Sequence, residues 1–117
     1  PNHRPAVEHV INWEMQMIAQ FLQKLADPAF KDLDGNTLFN NTTVLIGTEL
    51  SDPPSHSRQG MTFFLAGANK RFKPGVHDMG NRSDTDLYNT VLRSMGVNLA
   101  TPFGKTGTFT SPLPVLV

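Results

Sequence analysis

Over residues 5–27 the apolar positions return every three or four residues. Val7, Val10, Ile11, Ile18, Phe21, Leu22 and Leu25 form one stripe, while Glu8, Asn12, Gln16, Gln20, Gln23 and Lys24 mostly lie off it. That period predicts an amphipathic helix whose apolar side packs on something, and the natural counterpart here is a sheet. Pro5 suits the first turn, where a missing N–H costs nothing. Asp27-Pro28 ends the helix, because the residue before proline avoids helical backbone angles. Trp13, Met15 and Met17 read as helix packing rather than as a cofactor box.

The pattern then changes character. Residues 27–41 read as a connection with a turn at Asp34-Gly35-Asn36. Thr42-Thr43-Val44-Leu45-Ile46-Gly47 is a short apolar, β-branched run. Its hydrophobicity is continuous rather than alternating, which predicts a strand buried on both faces, as in parallel sheets covered by helices. Residues 50–60 hold two prolines, three serines, Asp52 and His56, the composition of a loop. Met61-Thr62-Phe63-Phe64-Leu65-Ala66 reads as a second buried strand, stopped by Gly67. Residues 69–80 are punctuated by glycine and proline, with a short edge strand expected near Arg71-Phe72 or Gly75-Val76-His77.

A second helix starts at Ser83, a good cap, with Asp84 and Asp86 at the positive end of its dipole. Leu87, Tyr88, Val91, Leu92 and Met95 are its expected buried face, and Gly96 its left-handed stop. Residues 97–117 show little periodicity and read as an extended tail laid over a larger body. The fold class is therefore α/β, with few buried strands flanked by two helices. Such a core is thin for a free-standing domain. The whole chain, residues 1–117, is expected to be one segment of a larger α/β domain, its sheet completed by residues outside it.

Composition narrows the function classes. The 117 residues carry 10 basic and 10 acidic side chains, so no net field draws in a polyanion. The longest basic cluster, Lys70, Arg71 and Lys73, is too short for a nucleic-acid footprint. No apolar run approaches the roughly 20 residues that span a bilayer. The absence of cysteine excludes disulfides, zinc–thiolate centres and thiol nucleophiles. The opening on Pro1 points to a processed or truncated product.

Candidate chemistry gathers in the loop between the strands. Glu49 stands just past the carboxyl end of the first strand, where open α/β sheets collect their ligands. Asp52 and His56 follow in the same loop. Glutamate, aspartate and histidine supply the oxygen and nitrogen donors that zinc, manganese or calcium accept. His56 is alternatively a general acid or base near neutral pH. The plainer alternative is that Glu49 caps or forms a salt bridge, Asp52 starts the Asp-Pro turn and His56 is merely exposed. His3, ahead of the first helix, and His77, between Gly75 and Gly80, lie in irregular backbone and join the candidates. His9 reads as helix surface. Asp32, Asp34 and Asn36 imitate the start of a calcium loop, but Thr43 stands where the bidentate glutamate belongs. No Gly-x-Ser-x-Gly element surrounds Ser51, Ser55 or Ser57.

The string from Asn41 through Ile46-Gly47-Thr48-Glu49-Leu50-Ser51-Asp52, then Ser55-His56-Ser57, then Phe63-Phe64-Leu65-Ala66-Gly67, resembles the C-terminal part of a known group. That group comprises uncharacterised bacterial sulfatase-like families of the alkaline phosphatase superfamily, exported with twin-arginine signals. Asn2-His3 before the long helix, Gly75-Val76-His77 with Met79-Gly80, the helix closing on Met95-Gly96-Val97, and Ser111-Pro112-Leu113-Pro114 continue the likeness in order. The resemblance implies a large α/β sandwich around a mixed sheet and a periplasmic or extracellular location. It further implies a metal-dependent hydrolase of phosphate or sulfate esters, completed by the N-terminal remainder of the same protein. On that analogy Glu49 takes the place of an acidic metal ligand, with His56, His3 or His77 as imidazole ligands. The strand-end Asp-His pair of active members is here Thr48-Glu49-Leu50. The other reading left open is a non-catalytic exported protein that keeps the fold and binds a carbohydrate or a partner through this loop.

Overall fold

The computed structural model describes residues 3–52, 54–68, 71–97, 104 and 110–114. It is mixed helix and strand, in two compact units, Pro1–Asn69 and Lys70–Val117.

The first unit opens with α1, Arg4–Ala26, a helix of 23 residues. The His3 carbonyl accepts from Ala6 N at 3.1 Å and Val7 N at 3.2 Å, and Pro5 lies in the first turn, as expected. Asp27 turns to extended backbone, and its carboxylate accepts from Ala29 N at 2.8 Å, closing the exit. No residue of α1 is buried. The expected connection over 27–41 contains the turn at Asp34-Gly35, a bridge between Lys31 and Thr37, and the short helix α2, Leu38–Asn41. One turn of helix shows no full hydrophobic period, so periodicity cannot register it.

Strands β1, Thr43–Gly47, and β2, Phe63–Gly67, form a two-stranded sheet. They pair antiparallel, Thr43 opposite Gly67 and Gly47 opposite Phe63. This differs from the parallel, doubly covered arrangement that the continuous apolar runs predict. The runs record that both faces of each strand are apolar, not which direction its neighbour takes. Burial differs as well: both strands are only half-buried, and Phe64 is 52% exposed. Phe63 lays its ring over Gly47, where a Cβ would stand 2.4 Å from that ring. At the other end Gly67 adopts φ +81°, and Ala68 N donates to the Thr42 carbonyl at 2.8 Å. Thr43 Oγ1 is buried without a partner among the described residues.

In the second unit residues 71–82 are irregular, with no strand where a short edge strand was expected. The helix α3, Asp84–Ser94, begins as predicted: Ser83 Oγ accepts from Thr85 N at 3.1 Å. Gly96 ends it at φ +82°. Its buried face is the expected one only in part. Leu87 and Val91 are buried, but Tyr88 and Leu92 are half-buried and Met95 is exposed. The centre of the buried face is polar: Thr85, Asp86, Asn89 and Thr90. Asp86 Oδ1 accepts from Thr110 N at 2.7 Å and Ser111 N at 3.4 Å, and Asp86 Oδ2 accepts from Arg82 Nε at 2.7 Å. Thr90 Oγ1 donates to the Asp86 carbonyl at 2.6 Å and accepts from Leu113 N at 2.8 Å. Residues 110–114 of the expected tail are thus a strap tied to the polar side of α3, while residues 98–103, 105–109 and 115–117 of that tail lie outside the described residues.

Candidate functional site

The connection from β1 to β2 is organised by its own backbone. Ser51 N donates to the Ser57 carbonyl at 2.9 Å and Ser57 N to the Asp52 carbonyl at 3.2 Å. Ser51 Oγ adds a bond to the same Ser57 carbonyl at 3.0 Å. These bonds pinch residues 51–57 into a tight lobe. His56 sits on the lobe at φ 52°, the left-handed region that non-glycine residues rarely enter. The Asp52 carboxylate accepts from the Ser55 hydroxyl, which is turn chemistry and occupies part of its capacity.

Glu49 lies between the end of β1 and this lobe, exposed. Neither Glu49 nor His56 hydrogen-bonds a described residue, so both keep their donor atoms for something else. His3 stands at the start of α1, exposed, and makes no side-chain cap bond.

His77 belongs to the second unit and is half-buried. Its Nε2 lies 3.0 Å from the Lys73 carbonyl oxygen. A carbonyl only accepts, so Nε2 carries the hydrogen, which leaves Nδ1 as the lone-pair atom whenever the ring is neutral. That is the arrangement by which a backbone carbonyl orients a metal-ligating imidazole. Lys73 Nζ in turn donates to the Pro114 carbonyl at 3.4 Å.

Among the described residues no three His, Asp or Glu side chains gather as a metal site needs. Glu49 and His56 have the right donor chemistry for zinc, manganese or calcium, but they amount to two ligands at most. The lookalike calcium loop is engaged internally: Asn41 Nδ2 donates to Asp32 Oδ2 and Asp34 Oδ2, each at 2.9 Å. The Asn41 side chain foremost, then the backbone and side chain of Asn36, hold the Asp34 carboxyl below its ordinary value.

Two features escape the sequence reading. The first is Asp86. Burial pushes its carboxyl up, but bonds from Arg82, Thr110 and Ser111 and the Arg82 charge outweigh burial and hold it below the usual range. The signal was present as an Arg and an Asp four residues apart, a common surface pair that spacing alone does not mark as buried. The second is a cleft of about 360 Å³ between α1 and the strands, lined by Trp13, Met17, Ile18, Ile46 and Phe64, with Glu14 and Thr48 on its wall. No helix among the described residues is long and apolar enough to cross a membrane.

No family model matches the chain, and neither a curated protein nor a solved structure is detectably similar to it.

Proposed function

We propose that this chain is the C-terminal portion of an exported, metal-dependent phosphate- or sulfate-ester hydrolase-like protein. In this reading its sheet extends into a sandwich of the alkaline-phosphatase kind. The observation that carries the proposal is the position of Glu49, an exposed carboxylate with no described partner at the carboxyl end of β1. His56 follows on a lobe whose backbone is pinned. Within this chain Glu49 offers a hard oxygen donor and His56 an imidazole nitrogen. The remaining ligands and the nucleophile belong to the N-terminal remainder of the same protein. A divalent metal held there supplies polarisation of the ester oxygen and a lowered pKa for a bound nucleophile.

Elemental analysis of the full-length protein, paired with hydrolysis of nitrophenyl phosphate and nitrophenyl sulfate, tests this. The expected result is bound metal and measurable turnover of one ester, both falling at least about tenfold in Glu49→Ala and His56→Ala. A protein that carries no metal and cleaves neither ester is not a hydrolase of this kind. Metal content untouched by both substitutions would move the loop to a binding role.

A further inference from the structure

The buried face of α3 holds the strap by its main chain. Asp86 Oδ1 accepts from the Thr110 and Ser111 amides, and Thr90 Oγ1 accepts from the Leu113 amide. Arg82 Nη2 donates to the Ser111 carbonyl, and to Ser111 Oγ at 3.0 Å. The two remaining strap residues, Pro112 and Pro114, have no N–H to satisfy. Every backbone donor of residues 110–114 is therefore matched by a side chain of α3. One apolar group goes with them: Leu113 is 2% exposed, whereas Ser111 and Pro112 are half-buried and Thr110 and Pro114 exposed. Main-chain bonds that hold, joined to a single buried side chain that selects, is the division of labour by which grooves recognise peptides.

The balance of forces favours a contact that can release. Bonds from side chain to backbone replace bonds to water, so they fix register more than they add strength. One buried leucine then has to offset the ordering of the segment, and the two prolines lower that cost by fixing φ beforehand. The helix does not depend on the strap for its ends. Ser83 caps the start through Thr85 N, and Gly96 supplies the left-handed stop.

We infer that Arg82, Asp86 and Thr90 form a docking groove for a proline-flanked segment carrying one leucine, closed in this chain by its own residues 110–114 as a releasable latch. The inference is independent of the ester-hydrolase reading. It assigns a recognition surface, the chemistry of its ligand, and a segment that opens while α3 stays folded.

Hydrogen exchange of the full-length protein, read amide by amide by NMR, tests this, with the blocked peptide acetyl-Thr-Ser-Pro-Leu-Pro-amide as the probe. Without peptide, the Leu113 amide is expected to exchange on the order of a hundredfold faster than those of Thr90 and Val91, through local opening. A free peptide half-displaces a tethered segment when its concentration equals the tether's effective concentration, on the order of millimolar, however tight the latch. About 10 mM peptide should therefore bring Leu113 exchange to within about twofold of its unprotected rate and leave Thr90 and Val91 protected. The same peptide with Leu113→Ser should leave all three amides unchanged at that concentration. Leu113, Thr90 and Val91 exchanging together at one rate makes the strap part of the helix's own folding unit and overturns the latch. No response to about 10 mM peptide, or an equal response to the serine peptide, overturns the groove.

Discussion

Gly67 and Gly47 both lie in the sheet, yet an added methyl group meets different obstacles. At Gly67 a Cβ would stand 2.1 Å from the Thr42 carbonyl oxygen and 2.7 Å from that of Phe39, at a φ of +81°. Backbone atoms on two sides cannot step aside, so Gly67→Ala is expected to lower stability by about 3 kcal/mol, read by urea unfolding of the full-length protein. At Gly47 the obstacle is the Phe63 ring, which can rotate, and Gly47→Ala should cost less than Gly67→Ala in the same assay. Asp86 makes a prediction in pH. Its folded carboxyl is held below its unfolded value of roughly 3.9, so its contribution is present above that value and is lost as pH falls through the folded pKa. Below about pH 4 the amides of Thr110 and Ser111 should therefore exchange hydrogen faster, and Asp86→Asn should flatten that acid dependence. Neither Gly67 nor Asp86 stood out in the sequence. A glycine after an apolar run reads as a stop, and the crowding that requires it comes from residues some 25 positions earlier in the chain.

Among the elements, α1 and α3 were legible because their signals are local: a proline in the first turn, a capping serine, a left-handed glycine, a period near four. Pairing direction was not, since an apolar run carries no information about the partner strand's polarity. The polar centre of the α3 face was missed for a related reason. Periodicity ranks positions by hydrophobicity, and here a polar strap makes Asp86 and Thr90 the best-covered positions. Thr90→Val tests that account. The change keeps the side chain's size but leaves Leu113 N without its acceptor, which is expected to cost about 1–2 kcal/mol and to speed exchange at the Leu113 amide. Were Thr90 simply a core position, the added methyl group would be neutral or stabilising.

For the molecule as a whole, the decisive quantity is what covers α1. Val10→Asp on the exposed stripe separates the cases in a denaturant titration of the full-length protein. A covered stripe predicts a loss of about 2–3 kcal/mol, and a bare one a change within about 0.5 kcal/mol. The candidate site was legible only as residue types in a loop. Glu49 and His56 fall in the β1–β2 connection, and among the described residues no cluster of three His, Asp or Glu side chains forms around them. The two-strand sheet carries a further consequence for handling the chain. Strands reading Thr-Val-Leu-Ile-Gly and Phe-Phe-Leu-Ala-Gly contain neither a charge nor a proline, and each has a single described neighbour. Natural sheets guard such edges with lysine, proline or a bulge. Without those gatekeepers the chain is a template for edge-to-edge addition, so the chain expressed by itself should yield insoluble, thioflavin-positive material.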